Sequence, residues 1–233
     1  LDYEAELGFV CAPGNPLGTP VRIANALERV FGVVLLNDWS ARDIQAWEYQ
    51  PLGPFLAKSF ATTLSPWVVT LDALEPYRVH SLRRPPDDPA PLPYLSDSDD
   101  RDEGGFSIEV EMYLRTAGMR DIAMPPVRLS HANYRDSYWT LAQLVTHHTS
   151  NGCNLRTGDL LGSGTISGAA ADSAGAMIEL TQNGKHSIKL PGGETRTFIE
   201  DGDELVQRGR CSRDGFATIG FGEAAGLVLP SLK

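Results

Sequence analysis

Twenty-three glycines and 16 prolines punctuate the 233 residues of this chain, and no apolar run between them is long enough for a bundle helix. Each Gly-Pro cluster ends whatever element precedes it, so the composition favours many short strands joined by turns. With 42% apolar residues, a sizeable core is available. No repeat and no linker divides the chain, so one domain over residues 1–233 is expected.

The opening LDYEAELGFV alternates. Leu1, Tyr3, Ala5 and Leu7 fall on one side of a strand and Asp2, Glu4 and Glu6 on the other. Same-face neighbours on a strand are roughly 7 Å apart, so Glu4 and Glu6 can aim at one point. A solvent face of an edge strand is the plain alternative. A second strand, Val33 to Leu36, stops at Asn37-Asp38. If Asp38 joins Glu4 and Glu6, three carboxylates converge. They would repel without a cation, and hard oxygen donors suit Mg²⁺ or Ca²⁺ better than Zn²⁺.

After Asp38, Trp39 and Ser40 turn the chain into a helical segment on which Arg42, Gln45 and Tyr49 lie about a turn apart. The PLGPFL turn then leads back to Lys58, Thr62 and Thr63. Asp38 as a helix cap with Arg42 as its surface partner is the structural alternative.

Elsewhere the pattern predicts a short helix from Thr19-Pro20 through Val30, ended by Gly32. It predicts a strand in SPWVVTLDAL and a long irregular connection from Glu75 to Leu95. The acidic run 97–105 places Asp100, Asp102, Gly105 and Glu111 at EF-hand-like spacing. Its flanks are not helical, so a solvated insertion is expected. Glu109 and Glu111 read as the solvent face of a strand. Ser137 to Ser150 is the strongest helix. Adjacent His147 and His148 point about 100° apart on it and cannot both face one ion. The glycines around Ser163 and Thr165 can present N–H groups to an anionic oxygen. A hairpin is predicted about Asn183-Gly184. Glu179 in its first strand is either on the solvent side or a partly buried proton-transfer acid.

A net charge of −10 argues against nucleic acid and anionic membranes as partners. Neither a membrane span nor a signal peptide is visible in the sequence. The three scattered cysteines, Cys11, Cys153 and Cys211, fit a reducing cytoplasm. The chain starts at Leu1 inside a strand pattern, which suggests that its natural start lies upstream.

The stretches VVLLNDWSARDIQAWEYQPLGPFLAKSFATTLSPW (33–67), YWTLAQLVTHHTSNGCNLRTGDLLGSGTISG (138–168) and TFIEDGDEL (197–205) resemble the fumarylacetoacetate hydrolase family. The resemblance implies a mainly β fold with a few short helices, a mixed β-sandwich roll, and a homodimer. It implies hydrolysis of a carbon–carbon bond in a β-diketone, 4-fumarylacetoacetate giving fumarate and acetoacetate, the last step of tyrosine and phenylalanine breakdown. By resemblance, Glu4, Glu6 and Asp38 bind a divalent cation with Lys58 and Thr62 beside it. Arg42, Gln45, Tyr49 and Thr165 contact the diketo-acid substrate, Arg42, Gln45 and Lys58 stabilise developing charge, and Glu179 orients the water. The family's histidine base, its first metal-binding aspartate and its small N-terminal domain lie ahead of the Glu4 strand. None of His80, His131, His147, His148 and His186 matches that base, so this chain alone is expected to be crippled. Acylpyruvate hydrolysis, oxaloacetate decarboxylation, a calcium-dependent binding module and an inactive fragment are the alternatives.

Overall fold

The computed structural model describes residues 1–232. Two curled sheets carry the fold. The first has β1 (Ala5–Cys11) at its centre, flanked by β2 (Val30–Asp38) and by the short strand Leu160–Gly162. β3 (Thr62–Leu64) and β4 (Val69–Thr70) both pair with β2. The second sheet runs Ile219–Leu227, Glu204–Cys211, Glu109–Arg115, Val127–Asn133, all antiparallel neighbours.

The alternation in the sequence becomes the core. Tyr3, Leu7, Phe9 and Leu35 from the first sheet meet Met112, Leu114, Leu205 and Phe221 from the second, all buried. Full burial of one such side chain contributes about 1.5–3 kcal/mol. The sheets also touch through polar contact, since Gln207 Nε2 donates to the Glu6 carbonyl at 2.8 Å. In Glu109–Arg115, Val110, Met112 and Leu114 point inward. Glu109 and Glu111 point outward, as expected, and pair with Arg210 and Arg128 on neighbouring strands.

β1 departs from the alternation. Both of its edges are paired, and polar side chains on its other face are buried too: Glu6 on the strand and Asp2 just ahead of it are nearly as buried as Ala5 and Tyr3. A solvated edge strand is excluded.

Several local expectations are corrected. The segment from Thr19 to Val30 forms two 3-10 turns, Ile23–Asn25 and Leu27–Arg29, and no α-helix. Val30 already belongs to β2, and Gly32 sits inside that strand where the Val69 backbone approaches too closely for a side chain. SPWVVTLDAL gives only β4, after which Leu71–Leu74 is helical. The acidic run keeps Asp99, Asp102 and Glu103 in solvent, as expected, but it is not irregular. Ser98–Glu103 is a helix capped by Asp97, whose Oδ1 accepts from Asp99 and Asp100 N–H. Asp100 is buried, and Thr140 Oγ1 donates to both its oxygens at 2.9 Å.

The long helix starts later than the pattern suggests, at Leu141, and ends at Thr149. Thr140 and Gln143 form a reciprocal capping box there and leave Tyr138 outside. The hairpin about Asn183-Gly184 does not form. Met177–Leu180 is one helical turn, closed by Gln182 and Asn183 in left-handed backbone. No helix among the described residues is long and apolar enough to cross a membrane.

Candidate active site

The β1–β2 register builds the acidic cluster. Ala5 pairs with Asn37, Asp38 N–H donates to the Glu4 carbonyl at 3.1 Å, and an isolated bridge joins Asp2 to Ser40. Glu4 and Asp38 therefore stand opposite each other, with Glu6 two residues along on the same face. One carboxylate oxygen from each of Glu4, Glu6 and Asp38 lies within 4.8 Å of the others. Among the described residues no histidine joins them.

Two cations border the cluster. Lys58 Nζ is 2.6 Å from Glu4 Oε2 and 2.9 Å from Asp38 Oδ2. Arg42 Nη1 donates to Glu4 Oε1 at 2.7 Å and to Gln45 Oε1 at 2.9 Å, while its Nε donates to Asp2 Oδ2 at 2.8 Å. Arg42 thus pairs with Asp2 and Glu4, and the capping arrangement of Asp38 with Arg42 is not found. α1 (Arg42–Leu52) begins instead after Ala41, which caps with no side chain. Ser40 Oγ adds a donor to Glu4 Oε1 at 3.2 Å.

Lys58 reaches the cluster because Glu48, on α1, holds the returning loop. Its carboxylate accepts the backbone N–H groups of Phe55, Leu56 at 3.0 Å and Ala57 at 2.8 Å. Ala57 is fully buried, and its carbonyl accepts from Ala41 N–H at 3.0 Å, which ties the loop to the start of α1.

The two glutamates titrate in opposite directions. Burial raises Glu4, but Lys58 and Arg42 outweigh it and hold the carboxyl below its ordinary range. Glu6 lacks such a partner. Burial, then the charges of Asp38 and Glu4, push it up to about 7. The Gly164 N–H donates to Glu6 Oε2 at 3.0 Å and opposes that rise. Gly164 has φ of 76°, a backbone that a side chain disfavours. This glycine N–H, expected to face a ligand's anionic oxygen, is taken up by a protein carboxylate instead.

The remaining expected residues lie outside this bonded network. Tyr49 is on α1 and half exposed. Thr62 faces Asp38 in the β2–β3 register and is exposed. Thr165 follows Gly164 and packs its methyl near Gly175. Glu179 is exposed on the Met177–Leu180 turn and accepts from Ser167 Oγ at 3.0 Å, so it is no buried acid in a strand. His147 bonds Tyr94 at 2.8 Å and His148 stands 3.6 Å from Cys153, both on the far helix.

Sequence reasoning missed Asp2, Ser40 and Glu48. Asp2 carried a signal, the D-x-E-x-E period that places it in line with both glutamates. Glu48 carried none.

Residues 1–225 match the family model described as fumarylacetoacetate (FAA) hydrolase C-terminal. Fumarylacetoacetase of Homo sapiens is 51% identical over 232 residues, covering 100% of this chain and 53% of that protein. The Arabidopsis thaliana enzyme of that name is 50% identical over 231 residues, covering 99% and 52%. The chain thus spans about half the length of these curated relatives. Among solved structures, fumarylacetoacetate hydrolase from psychrophilic Exiguobacterium antarcticum superposes with a TM-score of 0.57 at 19% identity, covering 99% of this chain and 57% of that one. That likeness concerns the fold, a mostly β roll with few helices. By the family match over residues 1–225, this chain belongs to the fumarylacetoacetate hydrolase family.

Proposed function

We propose that the chain is the catalytic domain of a fumarylacetoacetase, hydrolysing 4-fumarylacetoacetate to fumarate and acetoacetate. The observation that carries this reading is the convergence of Glu4, Glu6 and Asp38 within 4.8 Å, bordered by Lys58 and Arg42. The donor set fits a divalent cation. Three hard oxygen ligands suit Mg²⁺ or Ca²⁺. When bound, such an ion supplies Lewis-acid polarisation of the dicarbonyl.

The chain's own residues divide the remaining work. Lys58 stands at the cluster beside Thr62, and with Gln45 it offers hydrogen bonds to developing negative charge. Arg42 uses Nε and Nη1 on protein partners, which leaves Nη2, without a partner among the described residues, for an anionic substrate. Tyr49 and Thr165 supply substrate contacts at the margin. Glu179, braced by Ser167, orients the attacking water. The proton of that water goes to the family's histidine, which the resemblance sets ahead of the Glu4 strand.

A homodimer is part of the same reading. Its support is the exposed apolar run that includes Trp47 (88% exposed), Leu52 (93%), Phe55 and Trp67. The free thiols Cys11, Cys153 and Cys211 support a cytoplasmic location.

The test is loss of the fumarylacetoacetate chromophore with Mg²⁺ or Ca²⁺, using the natural gene product with any residues that precede Leu1. Cleavage to fumarate and acetoacetate is expected. Metal binding without cleavage would transfer the assignment to acylpyruvate or oxaloacetate chemistry.

A further inference from the structure

Asp2 lies in line with Glu4 and Glu6, yet it stands outside their cluster. Its side chain is fully buried. Oδ1 accepts the backbone N–H of Tyr3 at 2.8 Å and of Met177 at 2.9 Å. Oδ2 accepts the N–H of Ile178 at 3.1 Å and Arg42 Nε at 2.8 Å. An ionised carboxylate has about four lone-pair sites, and four donors fill them. Asp2 therefore has nothing left to offer an ion or a substrate.

What it does have is reach across the site. Arg42 opens α1, while Met177 and Ile178 open the turn that carries Glu179. These elements are far apart in sequence, and one carboxylate joins them. The Asp2–Ser40 backbone bridge fixes that carboxylate, with N–H···O distances of 2.9 and 3.0 Å.

The bond to Nε also limits how Arg42 can turn. With Nε on Asp2, Nη1 meets Glu4 through Oε1 alone, and Glu4 Oε2 stays with Lys58 at the cluster.

We propose that Asp2 is a positioning residue that locks the Arg42 guanidinium in one orientation and ties it to the turn bearing Glu179. The roles of Arg42 and Glu179 rest on the hydrolase reading above.

The experiment is a double-mutant cycle in the full-length gene product, with Asp2→Asn, Arg42→Met and the pair. It is read by kcat for fumarylacetoacetate and by solvent exchange of the Arg42 Nε–H in arginine-labelled protein. Asp2→Asn is expected to lower kcat by about 10- to 100-fold, the range for groups that orient a reacting shell. In the Arg42→Met background the same change should cost clearly less than in the wild type, because only the tie to the Glu179 turn is left to lose. The Nε–H should exchange slowly in the wild type and fast in Asp2→Asn. Effects that multiply across the cycle would overturn the proposal, because Asp2 would then act on the fold and not through Arg42. If Asp2→Asn does not fold, Arg42→Lys decides. It keeps the charge but lacks the Nε donor, so a matching loss is expected and a wild-type rate overturns the proposal. A wild type that leaves fumarylacetoacetate intact sinks the hydrolase reading alone. The Nε–H exchange then settles Asp2 by itself, and unchanged exchange in Asp2→Asn counts against it.

Discussion

The Lys58 ammonium lies 2.6 Å from Glu4 Oε2, inside hydrogen-bond range of a carboxylate that also belongs to the candidate metal cluster. A fixed positive charge there offsets part of the cluster's repulsion, and it also repels an incoming cation. Lys58→Met should therefore tighten Mg²⁺ or Ca²⁺ binding, by roughly tenfold for a partly screened charge at this range, while turnover falls. Calorimetric titration beside a turnover assay checks this. Weaker metal binding in the variant would mean that Lys58 holds the carboxylates in place and does not compete with the ion.

Asp38→Ala removes one of the three candidate ligands from a position at the end of β2, where the fold has little to lose. Divalent-ion binding and turnover should both vanish with the melting temperature nearly unchanged. Unaltered ion affinity would remove Asp38 from the ligand set.

Glu6 gives the metal-free protein a pH dependence whose sign follows from its raised pKa. A carboxyl held near 7 in the fold, against 4.5 ordinarily, binds its proton more tightly when folded. Its contribution to stability is thus fully present below 4.5 and is lost as pH rises from there through about 7, on the order of 3 kcal/mol in all. A bound divalent ion cancels that penalty. Thermal melts with Mg²⁺ and with chelator should differ more at about pH 8 than at about pH 5. Equal shifts at both would show that Glu6 does not titrate in this window.

His147 and His148 occupy the exposed last turn of Leu141–Thr149, engaged with Tyr94 and Cys153. Replacing both with asparagine should leave turnover within about twofold, since surface changes of this kind shift stability by only about 0.5 kcal/mol. A loss of rate beyond tenfold would reinstate them as catalytic candidates.

Thr140→Val tests the packing of the acidic helix. The hydroxyl caps Leu141–Thr149 and is a hydrogen-bond donor to Asp100, which burial keeps above the ordinary carboxyl range. Losing both bonds should cost about 2–4 kcal/mol. Chemical denaturation measures it, and a cost near zero would mean that the Ser98–Glu103 helix repacks.

The parts of this architecture legible in the sequence are those with a period. Alternation in Leu1–Leu7 and in Glu109–Arg115 gave the inner faces, and the break at Asn37-Asp38 gave the strand end that carries a candidate ligand. The helical spacing of Arg42 and Gln45 gave their shared face. Tertiary contact decided the rest. Val30 joins β2 and not a helix because it pairs with Cys11 of β1, and Asp100 is held by a threonine 40 residues away. Met177–Leu180 is apolar and short, a composition that serves a strand or a helical turn equally, and the bonds from Asp2 select the turn. The resemblance contributed what no period can, namely which of many polar residues belong together.

The pairing of β1 with β2 has a consequence for how the protein can fail. Residues of one face are two apart, so sliding β1 by a single position against β2 would exchange its two sides. Glu4 and Glu6 would enter the core between the sheets, and Tyr3, Ala5 and Leu7 would line the acidic site. Such a misregistered chain could keep its strands and much of its compactness while holding no ligand at all. Asp2, bridged to Ser40 at one end of the strand pair and anchored by backbone N–H groups from a distant turn, works against that slip as a register pin.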